Sequence, residues 1–176
     1  MVMNSMAETC QSRLTSAATQ RKIVLPGELT LCAMTTVAGA RDRLPGHNED
    51  DVLALIEETG GLTWAWNIGL IPSRGSAARE IRILTKCIEH FVSTGKGLDW
   101  TFEQVLRRVL RGFNKPFITG TRLQIIMNCS STHVINLIVD GALRVVPGTS
   151  WNEGPAGSPL VVTESFVRFL EARKIL

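Results

Sequence analysis

The sequence predicts an α+β fold in which the last third is a helix-turn-helix followed by a long hairpin, preceded by a module of one helix and a shorter β-hairpin. Three observations predict it. Leu123, Ile126 and Met127 fall at helical spacing, Asn128-Cys129 break the run, and Ser130 is placed to cap a second helix carrying Val134, Leu137 and Ile138. Gly141 ends that helix, because only glycine enters the left-handed region without a Cβ penalty. Leu62-Thr63-Trp64-Ala65-Trp66-Asn67-Ile68, after Gly60-Gly61, has the β-branched and aromatic character of a strand.

Taken in chain order, residues 1–22 are rich in Ser, Thr, Gln and Asn and show no sustained periodicity, so they read as a flexible arm. Residues 23–98 form the helix and β-hairpin module. Within it, Leu29, Leu31, Met34 and Val37 fit helix or strand, and Pro26-Gly27 interrupts them, so the type of 23–40 stays open. Asn48 before Glu49, Asp50 and Asp51 starts a helix with Val52, Leu55 and Ile56 inward, since acidic side chains in a first turn complement the helix dipole. Period-two alternation then puts Leu62, Trp64, Trp66 and Ile68 on one face of the strand. The loop Pro72–Ser76 turns the chain into a partner strand, Arg79 to Leu84, with Glu80 and Arg82 directed to solvent. Cys87 to Val92 adds a short helix.

Residues 99–117 are a connecting helix. Asp99 or Thr101 starts it, with Gln104 placed as in a capping box, and Phe102, Val105, Leu106, Val109 and Leu110 supply its apolar side. Arg107, Arg108 and Arg111 occupy the remaining surface, with Lys115 and Arg122 following. Residues 118–176 hold the helix-turn-helix, a strand opening at Leu143-Arg144-Val145-Val146, a Gly/Pro/Ser-rich tip, a return strand Leu160-Val161-Val162, and a last helix capped by Thr163 with Phe166, Phe169 and Leu170 inward. Leu55-Ile56, Gly60-Gly61 and Leu62 parallel Leu137-Ile138, Gly141 and Leu143. Either the module is a second unit of the same kind or the chain holds two independent helix-to-hairpin connections.

Ser130-Ser131-Thr132-His133-Val134, Leu137-Ile138, Gly141 and Leu143, followed by a hairpin and a capped helix, resemble the excisionase/MerR-type winged helix-turn-helix over about the last third of the chain. The resemblance implies binding to double-stranded DNA, with the second helix in the major groove and the wing on backbone or minor groove. The sequence departs from the family's pattern on the exposed face of that helix. Where arginine or tyrosine is usual, it has Ser131, Thr132, Ile135 and Asn136.

Composition fits an ordinary soluble chain of 176 residues, 44% hydrophobic and 20% charged. The net charge of +3 falls short of the strong excess of a protein that binds nucleic acid mainly by neutralising phosphates. The four cysteines and three histidines lack zinc-ligand spacing, no P-loop or G-x-G-x-x-G occurs, and Ser130, Ser131 and His133 lack the third orienting group a nucleophile needs. No enzyme, metal or cofactor is therefore expected. No apolar run reaches membrane-spanning length and the amino terminus lacks a signal-peptide core, so the expected location is the cytoplasm, with reduced thiols.

The expected function is DNA binding of the kind used in transcription control, excision, or phage and mobile-element biology. Ser131, Thr132 and Asn136 are the expected base or phosphate contacts, since asparagine pairs bidentately with adenine. Arg144 and the wing, with Arg107, Arg108, Arg111, Lys115 and Arg122, would hold the backbone. One short helix reads few base pairs, so a homodimer would pair two half-sites. The alternative is a protein-interaction or assembly module that keeps the fold without DNA, using Ile135, Val139 and Trp151 as contacts.

Overall fold

The computed structural model describes residues 32–70, 79–111, 115–151 and 157–175. The amino-terminal arm, the Pro72–Ser76 loop and the tip of the second hairpin at 152–156 lie outside them. Met34–Thr35 forms β1, Val37–Arg41 α1, Glu49–Glu57 α2, Ala65–Asn67 β2, Ile81–Leu84 β3 and Thr85–Thr94 α3. Phe102–Val109 is α4, and then follow β4 (Phe117–Thr119), α5 (Gly120–Met127), α6 (Ser131–Val139), β5 (Leu160–Val162) and α7 (Thr163–Arg173). The fold is α+β, with two small antiparallel sheets among the described residues. The segment left open by the sequence resolves at Met34–Thr35 as strand and at Val37–Arg41 as helix.

Local chemistry sets most helix ends. The Asn48 side chain accepts from the Asp51 N–H while the Asp51 carboxylate accepts from the Asn48 N–H, and Thr101 with Gln104 repeats the arrangement at α4. Ser130 caps α6 by accepting from the His133 N–H at 3.1 Å. Ser130→Ala is therefore expected to lower stability by about 1 kcal/mol, a loss that chemical denaturation would read; an unchanged midpoint would mean the cap contributes nothing. Asn128, at φ 49°, breaks the chain between α5 and α6. Gly141, at φ 75°, follows α6, where a side chain would be strained.

The expected cap at Thr163 is not made. α7 begins at Thr163 with Val162 in the cap position, and the Thr163 hydroxyl donates instead to the Lys115 carbonyl at 2.8 Å. Its N–H donates to the Pro116 carbonyl. Thr85, the first residue of α3, does the same: N–H to the Ala33 carbonyl and hydroxyl to the Cys32 carbonyl. Each threonine thus ties the start of a terminal helix to the chain just before the first strand.

That equivalence extends through the molecule. The first half runs strand, helix, helix, strand, strand, helix, and the second strand, helix, helix, strand, helix, with an isolated bridge at Val145 where the first half has β2. In the first, β3 lies between β1 and β2, with Met34 opposite Leu84 and Ala65 opposite Ile83. In the second, β5 pairs with β4, Phe117 opposite Val162, and on its other side Val145 bridges to Val161, while the Val162 N–H donates to the Arg144 carbonyl and the Val146 N–H to the Leu160 carbonyl. The Leu84 N–H reaches the Trp64 carbonyl in the matching position. After each nine-residue second helix the chain turns through a positive-φ glycine, and the Leu62 N–H donates to the Leu55 carbonyl as the Leu143 N–H does to Leu137.

The two repeats share one hydrophobic core. α5 touches β1 and α7 touches β2, and the chain after α7 adds to the first sheet, with Lys174 bridged to Trp66 and the Ile175 N–H donating to the Ala65 carbonyl. β2 is consequently covered on both faces: Trp64, Ala65, Trp66 and Ile68 are all buried, so period-two alternation describes the backbone and not the exposure. Arg82, expected in solvent, is 9% exposed for the same reason. The second repeat packs on that face and supplies carbonyl acceptors to the guanidinium.

Candidate nucleic-acid interface

α6 is held by its inner face. Val134 and Leu137 are buried in the core, and His133 is 7% exposed, its Nε2 2.9 Å from the Ile68 carbonyl and its Nδ1 3.5 Å from the Glu80 carboxylate. A carbonyl only accepts, so the Ile68 contact requires the Nε2–H form of the ring. The outward side carries Ser131, Thr132, Ile135 and Val139 exposed, with Asn136 half-buried. Residues 131–139 include no Lys, Arg, Asp or Glu. Asn136 and Thr132 share a cleft with Asn128 from the turn and with Glu80 and Arg82 from the first repeat.

The residues expected to hold the backbone fall into separate groups. Lys115 and Arg122 line one cleft at the amino end of α5, floored by Phe117 and Leu160. Arg144 is exposed beyond the carboxyl end of α6, in a cleft with Arg168, Phe169 and Arg173. Arg107 sits on α4 against Glu103, Arg108 is half-buried and Arg111 is exposed. These three line neither cleft, because α4 is fixed toward the first repeat, Phe102 stacking on Trp64 at 6.0 Å. Lys115, Arg122 and Arg144 have no carboxylate within ion-pair distance among the described residues, whereas Arg79 and Lys86 of the first repeat each pair with one and Arg41 with two.

Trp151, expected as a contact on the hairpin, is half-buried. It folds onto the start of α5, where a Cβ on Gly120 would lie 2.9 Å from the indole Cζ2 and 2.9 Å from Pro159 Cγ. Gly120→Ala is expected to cost about 1 to 3 kcal/mol by overpacking. The emission of Trp151 should shift as the indole is displaced, and a variant as stable as the parent would show that the hairpin can move away freely.

Arg82, Glu80 and His133 form a junction between the repeats that local sequence patterns did not reveal. The Arg82 Nε donates to the carbonyls of Met127 at 2.8 Å and Asn128 at 3.2 Å. Arg173 donates to the Gly69 carbonyl and the Lys174 ammonium lies 4.1 Å above the Trp64 ring. Cys129 borders the same junction, and burial pushes its thiol up to about 11, with Arg82 pulling the other way and Glu80 adding to the rise. Burial also raises the Cys87 thiol to about 11. A thiol pKa raised by folding stabilises the fold fully below the unfolded value near 9.0, and that contribution is lost as pH climbs toward 11. Stability should accordingly fall between pH 9 and 11, and Cys87→Ala and Cys129→Ala should flatten the fall; an identical slope in the double variant would remove the thiols as its source.

Among the described residues no group of three His, Cys, Asp or Glu is placed to hold a metal ion, and no helix is long and apolar enough to cross a membrane. Comparison with protein-family models, with curated proteins and with solved structures gives no match.

Proposed function

We propose that the protein binds double-stranded DNA through its second repeat, as a winged helix-turn-helix in which α5 and α6 are the helix pair and the loop between Val146 and Leu160 is the wing. The first repeat, with an extra strand in the corresponding order, would make the chain a tandem of such units. A role in transcription control, excision or the organisation of mobile DNA follows from that reading. The observation that carries it is the separation of charge. Residues 32–98 hold seven Lys/Arg against eight Asp/Glu, and 99–176 hold nine against six. α2 opens with Glu49, Asp50 and Asp51, which a phosphate backbone repels. α6 carries no Lys, Arg, Asp or Glu, with Lys115 and Arg122 before it and Arg144 after it, three cations without a carboxylate partner among the described residues.

Since only one of the two repeats has a second helix compatible with a polyanion, a second copy of the chain would supply the other half-site contact, and a homodimer on DNA is part of the proposal. The wing and the three cations would set register, and Ser131, Thr132 and Asn136 would meet the bases. Binding to duplex DNA measured against salt tests this. Arg122→Ala and Arg144→Ala should weaken all sequences alike and reduce the salt slope by about 0.9 for each phosphate no longer neutralised. Asn136→Ala should cost roughly 1 to 3 kcal/mol on the preferred site alone. No duplex binding at low salt would remove the proposal.

One observation favours a second reading. Ile135 and Val139, 37% and 57% exposed, make an i, i+4 aliphatic ridge of the sort that docks on another protein. In that case the fold would serve as an assembly module. Trp151, turned inward, would not take part.

A further inference from the structure

We infer that the α6 face reads A·T base pairs, recognising thymine by its methyl group. The inference rests on the DNA-binding reading above and names the sequence class that site would select. Each base pair offers a distinct pattern in the major groove. Guanine presents two acceptors best met by Arg or Lys, and cytosine an amino donor best met by a carboxylate. α6 has none of these side chains. Adenine presents an acceptor and a donor that an asparagine amide matches on both edges, and thymine presents a C5-methyl group that an apolar side chain covers.

Both partners are on the helix surface in adjacent rows. Thr132 and Asn136 form one i, i+4 row, and Ser131, Ile135 and Val139 form the next. The Asn136 amide makes no hydrogen bond with the described residues and lines an open cleft, so its donor and acceptor are available. Ile135 and Val139 are two of the four large hydrophobic side chains left exposed among the described residues. The charge around them fits the same occupant: Arg122 and Arg144 flank the helix pair without carboxylate partners among the described residues, as phosphates on either side of a groove require. The equivalent helix of the first repeat has neither row: the positions matching Ser131, Ile135 and Val139 are Glu49, Leu53 and Glu57, and those matching Thr132 and Asn136 are Asp50 and Ala54.

The test uses the full chain and a pool of randomised duplexes selected at moderate salt. The expected result is a motif with an A·T core, in which replacing thymine by deoxyuridine at the contacted positions weakens binding about fourfold per methyl removed. Ile135→Ser and Val139→Ser should bind the thymine and uracil duplexes equally, with helical content unchanged by circular dichroism because both side chains are exposed. Arg122→Ala should weaken both duplexes and keep the ratio between them. Selection of a G·C core, or equal binding of thymine and uracil duplexes by the parent chain, would overturn the inference and leave DNA binding standing. Enrichment of no duplex at all would bring down the DNA-binding reading and this inference with it.

Discussion

Trp66→Ala is expected to destabilise the protein by about 3 to 5 kcal/mol, the range for truncating a fully buried aromatic side chain. Trp66 is 0% exposed, pairs with Arg82 across β3, and is bridged on its other side to Lys174. Its ring packs near Trp64 at 6.2 Å, so the cavity would open beneath the sheet strand that the chain after α7 completes. With domain stabilities of about 5 to 15 kcal/mol, this single change would consume a large fraction of the total. The indole Nε1 is buried without a hydrogen-bond partner among the described residues, which sharpens the prediction. Trp66→Phe keeps most of the apolar contact and removes that unpaired donor, so it should cost much less than Trp66→Ala. Equilibrium denaturation of the two variants decides the matter; equal losses would mean that the ring's volume is not what holds the sheet.

The elements that were legible in the sequence are those set by interactions within a few residues. Ser130, Asn48 and the Thr101-Gln104 pair are local devices, and each makes its cap with the N–H three residues on. Asn128 and Gly141 are likewise readable, because the left-handed conformation they adopt selects for those residue types. The parallel between Leu62 after Gly60-Gly61 and Leu143 after Gly141 was visible as a pattern and has the same hydrogen bond in both places.

What could not be read depends on distant neighbours. Thr163 has the composition of a cap, yet its hydroxyl is used 48 positions away, at Lys115. Arg82 looks like a solvent-facing charge on a strand until the second repeat is laid over it. Trp151 reads as an exposed loop aromatic, and only the missing Cβ of Gly120 leaves room for the indole to turn inward. Within the candidate interface, the uncharged face of α6 follows from helical spacing alone. The grouping of Lys115 with Arg122 and of Arg144 with Arg168 needed the folded chain, since residues brought together by strand pairing carry no fixed sequence interval.

Arg82→Met should loosen the two repeats from one another and cost about 1.5 to 3 kcal/mol, the usual loss when a charged donor to buried acceptors is removed. The guanidinium meets the carbonyls of Met127 and Asn128, at the carboxyl end of α5, where the helix dipole is negative and the last carbonyls have no partner within the helix. Methionine fills a similar volume but donates nothing, so the buried Met127 carbonyl would lose this donor. His133 and Arg173 would be left as the side-chain donors from the second repeat to the Ile68–Gly69 backbone. With the junction weakened, unfolding should lose its single cooperative step, the emission of Trp151 reporting the second repeat at a different denaturant concentration from amide signals of the first. The variant with Glu80 also replaced should lose less than the two single changes added together, because both side chains belong to one network. A single coincident transition in Arg82→Met, at the parent's midpoint, would show that the shared core alone fixes the repeats and that the arginine contributes nothing to their coupling.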